Sequence, residues 1–293
     1  MAPRLVSQRI LYAAFARDPG LDTHADGIWL PLEPPNTLAY CRASHAQRQV
    51  SISFGSMFLV LSSYLGPKNA MFSTEYPLRY NEAMIHEIFP VGPLQCNCSI
   101  IGDETTREAM VIDPGDDIEN VLGLIRKHNL QVKQIAITHA HIDHVGGAMK
   151  LRAASGAPIL LNQNDYALLK MLDVQAAWVG MAAPGAVEID QSVNTGDIVK
   201  AGSHSATILH TPGHTEGSIC LYFPAEKTLI AGDTLFAGSI GRTDLPGGSM
   251  QKIMQSLHTT VLALPDETIV VPGHGLLTTI GEERESNPFL VKR

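Results

Sequence analysis

Three histidines and one aspartate lie close together in segment 138–144 (THAHIDH). Because alternate residues of an extended segment share one face, His139 and His141 are predicted to converge on one point. Asp143 and His144, around the bend that follows, are predicted to reach a second point beside the first. Imidazole and carboxylate ligands without thiolate favour divalent ions such as Zn²⁺, Fe²⁺ or Mn²⁺. The segment therefore predicts a metal site rather than a packing role.

Further ligand candidates lie in the second half of the chain. The tripeptide Pro-Gly-His occurs at 212–214 and again at 272–274, each time directly after a predicted strand. Asp233 follows another apolar strand, and it is either a metal ligand or a residue that forms the turn after that strand. Together with the first segment, these residues supply enough ligands for two ions. The prediction assigns one ion to His139, His141 and His214, the other to Asp143, His144 and His274, and Asp233 to both.

A pair of ions that share a carboxylate predicts hydrolysis. Ions held about 3.5–4 Å apart can share a water-derived hydroxide, because they lower the pKa of the water from about 15.7 towards about 7. Asp143 and Asp233 are therefore the predicted catalytic carboxylates. The expected cofactor is two divalent ions per chain, with zinc first and iron or manganese as the other options. Such a centre keeps a net positive charge, so the predicted substrate is an anionic small molecule.

From Met84 onward, predicted strands and helices alternate. A helix is predicted over 116–128, where apolar residues recur at i, i+3, i+4 and i+7. Other helices are predicted over 145–154, 163–172 and 249–262, the last with Ser249 as its N-cap. Strands are predicted over 85–89, 96–101, 109–113, 134–138, 158–161, 206–210, 218–223, 228–231 and 268–271. Segment 173–196 is predicted to be an irregular loop over the site. This alternation predicts an α/β fold in which helices cover the sheets.

Residues 1–83 differ from the rest of the chain. They contain several prolines and lack sustained periodicity, so they are predicted to be a poorly structured or accessory extension. The catalytic domain is then predicted to be residues 84–293. Two stretches of the extension, 4–16 and 54–65, resemble targeting signals in composition, although an extension without that role is the favoured interpretation.

The composition excludes several classes of partner. Hydrophobic residues make up 45% of the chain, charged residues 17%, and the formal net charge is −8. An acidic chain without basic runs is not expected to bind nucleic acid, because phosphate contacts need clustered cations. No apolar run approaches the roughly 20 residues that span a bilayer, so no membrane partner is expected.

The four cysteines are too few and too scattered for a disulfide framework or a CxxC zinc site. Cys96 and Cys98 are predicted to be ordinary packing residues that point to one face of a strand. A reducing, cytoplasmic setting is the expectation.

The pattern HxHxDH, followed by distant His, Asp and His, resembles that of the metallo-β-lactamase superfamily. The resemblance covers residues 84–293. It implies a four-layer αβ/βα sandwich with the metal site at the seam between two sheets. The family's ligands match the residues identified above, namely His139, His141, Asp143, His144, His214, Asp233 and His274.

A narrower match resembles the glyoxalase II enzymes and their short bacterial subgroup. It is carried by segments 211–218 (TPGHTEGS), 232–236 (GDTLF), 241–244 (GRTD), 272–275 (PGHG) and 278–290 (TTIGEERESNPFL). The resemblance implies hydrolysis of S-D-lactoylglutathione or a related hydroxyacyl thioester by a metal-bridging hydroxide. Asp113 matches an aspartate near the superfamily's site and is expected to orient a metal ligand, with a turn role before Pro114 as the alternative.

One departure concerns the binding of glutathione. Full-length glyoxalase II carries a C-terminal helical domain that contacts glutathione, whereas 19 residues follow His274 here. Those contacts are therefore expected to be absent or built elsewhere. Arg242 is the candidate for binding a substrate carboxylate, with a surface salt bridge as the alternative. The N-terminus of the helix after Ser249 is a second candidate anion site.

Other activities stay open at this point. The GRTD segment also resembles persulfide dioxygenases, which hold a single iron with two histidines and one aspartate. Such a site would leave Asp143, His144 and His274 without a role. A lactone hydrolase would use the same hydroxide on a cyclic ester. A β-lactamase of the common dizinc type would carry cysteine in place of Asp233, and a nuclease would need a basic surface. A non-enzymatic metal-binding module is disfavoured because all seven ligands are present.

Overall fold

The computed structural model describes residues 39–41, 50–52 and 84–291. The chain divides into two units, Met1–Tyr76 and Pro77–Arg293. In the first unit, the described residues form two short antiparallel strands, β1 (Ala39–Cys41) and β2 (Val50–Ile52). The stretches 4–16 and 54–65, which resemble targeting signals, lie outside the described residues.

The second unit contains two six-stranded sheets. The first sheet has the spatial order β3 (Met84–Val91), β4 (Cys96–Asp103), β5 (Glu108–Ile112), β6 (Gln131–Ala136), β7 (Ile159–Leu161) and β8 (Gln191–Ser192). Strands β3, β4 and β5 pair antiparallel, whereas β5 to β8 pair parallel. The parallel part places the carboxyl ends of successive strands at one edge of the sheet.

The second sheet is mostly antiparallel. Its strands are β9 (Ile198–Ala201), β10 (His204–His210), β11 (Ile219–Phe223), β12 (Thr228–Gly232), β15 (Ile269–Pro272) and β16 (Thr278–Thr279). Only β12 and β15 in this sheet pair parallel, so their carboxyl ends also lie together. A separate hairpin is formed by β13 (Leu235–Phe236) and β14 (Ser239–Ile240).

Helices flank both sheets. They are α1 (Ile118–Lys127), α2 (Ile142–Val145), α3 (Ala148–Ser155), α4 (Tyr166–Leu169), α5 (Leu172–Val179), α6 (Met250–Ser256) and α7 (Ile280–Ser286). Within the described part of the chain, no helix has both the length and the apolar character that a bilayer span requires.

The alternation of side chains along each central strand produces the layers. On β5, Val111 packs in the core between the first sheet and helices α1, α3 and α5, whereas Met110 and Ile112 pack in the core between the two sheets. A third core lies between the second sheet and α6 and α7, where Ile253 and Ile280 are fully buried. The period of two in each strand therefore gives a helix–sheet–sheet–helix sandwich, which confirms the expected αβ/βα fold.

Several predicted boundaries are wrong. The predicted helix over 145–154 consists of the last residue of α2, a break at Gly146 and Gly147, and most of α3. Glycine is required at position 147, since a Cβ there would lie 2.4 Å from the carbonyl oxygen of Pro114. The predicted loop over 173–196 contains most of α5, whose residues Leu172 and Ala176 pack into the first core. The predicted helix over 163–172 is a 3₁₀ turn, α4 and the start of α5.

The second half contains further differences. The predicted helix over 249–262 is α6 followed by a π-helical turn over Leu257–Val261. Its N-cap is confirmed, since the Ser249 side chain accepts a hydrogen bond from the Lys252 amide. Strands β8, β9, β13, β14 and β16 and helix α7 were not predicted.

A buried carboxylate joins the two sheets at the last residue of β4. Asp103 is 1% exposed, and its Oδ2 accepts hydrogen bonds from the Ser203 hydroxyl at 2.6 Å and the Ser203 amide at 2.7 Å. Its Oδ1 accepts from the amides of Thr105 at 2.7 Å and Thr106 at 2.9 Å. These bonds, those from Ser203 first, hold the pKa of Asp103 well below its ordinary value. Since Ser203 lies in the turn between β9 and β10, the carboxylate connects both sheets.

We expect Asp103→Asn to lower the free energy of unfolding by about 1–3 kcal/mol at pH 7, because the amide cannot accept all four bonds. A depressed pKa in the folded state gives stability that is present above the unfolded pKa of about 3.9 and is lost as the pH falls below it. Urea unfolding at pH 7 and at lower pH measures the free energy of unfolding of both proteins. The difference between wild type and Asp103→Asn should become smaller as the pH falls. The control Glu104→Gln, at an exposed neighbouring position, should behave like the wild type. A difference that stays constant with pH would contradict this role.

Candidate metal centre

The predicted ligands follow the carboxyl ends of strands in both sheets. Because β5 and β6 are parallel, Asp113 and His139 follow their strands at the same edge of the first sheet. Asp233 and His274 follow the parallel strands β12 and β15 in the second sheet. His214 lies in the loop between β10 and β11. The structure brings all seven predicted ligands together where these edges meet.

Three imidazoles form a first cluster. His139 Nε2 lies 3.0 Å from His141 Nδ1 and 3.2 Å from His214 Nε2, and the last two nitrogens lie 3.0 Å apart. His141 is extended, with φ −82° and ψ 149°, as the predicted shared face requires. Nitrogens around a tetrahedral zinc with bonds of about 2.0–2.1 Å would be about 3.3 Å apart, so the triangle is close to that size.

A second cluster combines a carboxylate with two imidazoles. Asp143 Oδ2 lies 3.1 Å from His274 Nε2 and 3.7 Å from His144 Nε2. Asp143 and His144 belong to α2, the short helix that follows the extended His141. The bend predicted from the sequence is therefore the first turn of this helix.

Asp233 lies between the two clusters. Its Oδ2 is 3.5 Å from His214 Nε2 in the first cluster. Its Oδ1 is 3.5 Å from His144 Nε2 and 3.8 Å from His274 Nε2 in the second cluster. One carboxylate therefore presents a different oxygen to each cluster, which is the arrangement that a bridging ligand needs.

Two buried atoms of the clusters support the fit to metal ions. Among the described residues, His144 Nε2 and Asp233 Oδ1 are buried and have no hydrogen-bond partner. Leaving such groups without a partner is costly, and a cation between them would satisfy both. The backbone of Gly273 leaves this space open, since a Cβ there would lie 2.1 Å from Asp233 Oδ1. The donor set and the unsatisfied atoms fit divalent cations.

Outer contacts fix the orientation of the ligand rings. His144 Nδ1 donates to Asp113 Oδ2 at 2.9 Å, so Asp113 contacts a predicted ligand as expected. His214 Nδ1 donates to the Arg242 carbonyl at 2.8 Å, and His274 Nδ1 donates to the Leu94 carbonyl at 3.0 Å. Each of these bonds leaves the Nε2 lone pair of the ring for the centre.

The two clusters differ in their electrostatics. Burial lowers the pKa of His139 well below its ordinary range and that of His141 to about 3, and neighbouring imidazoles add to the effect. Burial acts in the same direction on His144, but the carboxylates around it, Asp143 first, raise its pKa well above the ordinary value. The pKa of His274 is also raised against the effect of burial, first by its hydrogen bond to Asp143. An ion that bound the second cluster would therefore have to displace protons, whereas the lowered pKa values of His139 and His141 keep these two rings neutral.

A cavity of about 320 Å³ opens onto the centre. Its floor includes Asp143, Asp233 and His274, and Arg242 lies on its wall. The Arg242 guanidinium makes two bonds with Asp244, from Nε at 2.8 Å and from the terminal nitrogen at 2.7 Å. The structure thus places Arg242 beside the site, with its side chain already paired. Ser249 lies after this loop and caps α6, a helix of seven residues.

Two supporting residues were missed by the sequence reasoning. Asp165 accepts hydrogen bonds from the Ala140 amide at 2.9 Å, the Thr215 hydroxyl at 2.8 Å and the Gly217 amide at 2.6 Å. It therefore connects the loop that carries His139 and His141 to the loop that carries His214. No motif marks Asp165 in the sequence, because its partners are 25 or more residues away.

The other is Gln175 of α5. Its Oε1 accepts from the Ile142 amide at 2.9 Å, and its Nε2 donates to the carbonyls of Ala140 at 3.3 Å and Leu168 at 3.2 Å. This helix lies in the segment predicted to be a loop. Gln175 therefore fixes the ligand loop through an element that the sequence reasoning did not predict.

Cys96 and Cys98 are buried in the first core, as predicted for packing residues. Cys96 also has a contact that the sequence did not indicate, since its Sγ lies 3.5 Å from His144 Nδ1. Burial raises the pKa of this thiol to about 12, so it packs against the site as a neutral group.

We expect Asp165→Asn to weaken metal binding by the first cluster about 10- to 100-fold, the usual cost of losing an outer contact. The amide must direct an N–H group at one of three donors, which displaces one ligand loop relative to the other. Competition for Zn²⁺ with a chromophoric chelator measures the effect. Asp173→Asn, at an exposed position of α5, is the matched control. Unchanged zinc affinity in the Asp165 variant would refute this positioning role.

Comparison with known proteins identifies the family. Residues 91–274 match the model of the metallo-beta-lactamase superfamily. The hydroxyacylglutathione hydrolase GloC of Haemophilus influenzae is 41% identical over 206 residues, which cover 70% of this chain and 97% of that protein.

Solved structures agree with this result. The crystal structure of BLEG-1, a B3 metallo-beta-lactamase, has a TM-score of 0.67 and 35% identity, with 71% of this chain and 100% of that chain covered. The crystal structure of TTHA1623 in a di-iron-bound form has a TM-score of 0.64 and 38% identity, with 70% and 100% covered. The sandwich, the convergent histidines and aspartates and these matches together show that the chain belongs to the metallo-beta-lactamase superfamily.

Proposed function

We propose that this protein is a dinuclear metal-dependent thioester hydrolase that acts on S-D-lactoylglutathione or a related hydroxyacyl thioester. The observation that carries the proposal is the position of Asp233, whose two oxygens each face a different ligand cluster. A shared carboxylate suits a two-ion centre, and two-ion centres serve hydrolysis. The similarity to a hydroxyacylglutathione hydrolase supports a thioester as the substrate.

Each residue has a defined role in this proposal. The first ion would be held by His139, His141 and His214, the second by Asp143, His144 and His274, and both by Asp233. When bound, the ions supply a water of lowered pKa and an electrophilic site for the carbonyl oxygen. Asp143 and Asp233 line the cavity and orient that water, while Asp113 keeps the His144 ring directed at the centre.

The cavity favours a leaving group that departs without a proton. Every titratable side chain among its described lining residues is a predicted metal ligand except that of Arg242, a base too strong to act as an acid. No separate general acid is therefore available there. A thiolate leaves readily because thiols have pKa values of about 8.5, whereas an alkoxide or amide leaving group needs protonation. This supports a thioester over a lactone or a β-lactam.

The full chain, loaded with metal, is expected to contain two ions and to hydrolyse S-D-lactoylglutathione, with the released thiol measured by a colorimetric reagent. Metal content by mass spectrometry would also identify the ions, for which zinc is the first expectation and iron or manganese the others. One iron per chain, together with oxygen uptake on glutathione persulfide, would instead establish a persulfide dioxygenase. Hydrolysis of lactones but not of thioesters would favour a lactone hydrolase.

Asp233→Ala is expected to lower kcat/KM by at least about 100-fold and to weaken the retention of both ions, because each cluster loses an oxygen ligand. Activity and metal content are measured after dialysis against a weak chelator. Asp173→Ala, which removes an exposed carboxylate, is the control and should keep both properties. Loss of one ion only, with activity retained, would be incompatible with a bridging role.

A further inference from the structure

The walls of the cavity over the metal centre are mainly apolar. One wall comes from α4 and α5, another from the loop after β14, and a third from the turn between β3 and β4. Their apolar side chains include Leu94, Leu168, Met171, Trp178, Leu245 and Pro246. Trp178 is 62% exposed and Leu94 is 43% exposed, so both offer apolar surface to a ligand.

The walls offer few polar groups to a ligand, since Gln175 is engaged and Arg242 is partly paired. The side-chain amide of Gln175 bonds to the backbone of Ile142, Ala140 and Leu168 with both its oxygen and its nitrogen. The Arg242 guanidinium is paired in two bonds with Asp244. Among the described lining residues, Arg242 is the one permanent cation. The remaining N–H groups of Arg242 could bind one carboxylate, whereas a second carboxylate would find no other permanent cation among the described lining residues.

These observations constrain the part of the substrate that enters the cavity. Glutathione carries two carboxylates and an ammonium group, and burying such charges without partners is costly. An apolar group gains free energy in proportion to the surface it buries. The volume of about 320 Å³ is at the lower end for ligand cavities, which suits a small group rather than a peptide.

We propose that the cavity binds an apolar group flanking the scissile bond, so that thioesters with an alkyl or aromatic substituent are better substrates than S-D-lactoylglutathione. This inference rests on the proposed thioesterase function and specifies its substrate class. The apolar group is either the acyl chain or the thiol, and Trp178, an exposed residue that lines the cavity, would contact it in either case.

Two series of thioesters test the inference and separate the two sources of the apolar group. In the first, acetyl, butanoyl and hexanoyl groups are joined to N-acetylcysteamine. In the second, an acetyl group is joined to ethanethiol, butanethiol or hexanethiol, which keeps the leaving-group chemistry constant. We expect kcat/KM to rise about fourfold per buried methylene in one series. Each series adds four methylenes, and burial of only two of them would raise kcat/KM about 16-fold from the shortest to the longest member. The longest member should exceed S-D-lactoylglutathione.

Substitution on α5 tests whether the cavity wall is responsible. Trp178→Ala should lower kcat/KM for the preferred long thioester about tenfold and leave the acetyl compound within about twofold. Val174→Ala is the matched control, because Val174 is an exposed apolar residue of the same helix and does not line the cavity. The thioether S-hexyl-N-acetylcysteamine, which cannot be hydrolysed, provides a second readout. Its affinity is measured by calorimetry, and we expect its Kd for Trp178→Ala to be about tenfold higher than its Kd for the wild type.

Changing the pair formed by Arg242 and Asp244 should shift the substrate preference in the opposite direction, towards a charged thioester. Asp244→Asn releases the guanidinium, so kcat/KM for S-D-lactoylglutathione should rise relative to that for the long thioester. A preference of the wild type for S-D-lactoylglutathione, or an equal effect of Trp178→Ala on every thioester, would overturn the inference and leave the thioesterase proposal intact. Failure of the metal-loaded protein to cleave any thioester would overturn both.

Discussion

The architecture depends on gathering imidazole and carboxylate groups, some without hydrogen-bond partners, in one buried place. Imidazole nitrogens lie 3.0–3.2 Å apart in the first cluster, and two atoms between the clusters have no hydrogen-bond partner among the described residues. Such an arrangement is costly unless cations occupy it. The rest of the fold compensates by holding the groups rigidly. Parallel strand pairs place the ligand loops at one edge of each sheet, and buried side chains such as Asp165 tie those loops together.

Strand β4 connects the centre to the remainder of the sandwich. At its first residue, Cys96 contacts His144 and pairs with His274 in an isolated bridge. At its last residue, Asp103 bonds to Ser203 in the second sheet. The two sheets are therefore joined at both ends of one strand, by the metal ligands at one end and by a buried carboxylate at the other. The core between the sheets fills the distance between these two connections.

Local chemistry made the ligands predictable from the sequence. The alternation of an extended segment followed by a helical turn explains why His139 and His141 face one cluster while Asp143 and His144 face the other. The pairing of β5 with β6 also brings Asp113 against His144, a contact that the strand-end motif indicated. The seven ligand roles themselves stay predictions until metal binding is measured.

Features that depend on tertiary contacts were not predictable. Periodicity predicted one helix over 145–154, yet α2 ends at Val145 and α3 begins at Ala148, with Gly147 packed closely against Pro114 between them. Helix α5 was missed because the segment after residue 172 contains Pro184 and Gly185 and was predicted to be an irregular loop, and Gln175 was missed with it. In each case the deciding partner was an atom whose position only the folded chain defines.

The order of the ligands along the chain has a consequence for biosynthesis. Four ligands precede residue 145, but each cluster is completed by a histidine from the second sheet, His214 for one and His274 for the other. During synthesis, the first half of the chain therefore holds an incomplete ligand set until the second sheet has formed against it. If these residues bind two ions as proposed, the complete sites form only after the second sheet has assembled, and the metals present at that stage determine which ions are bound.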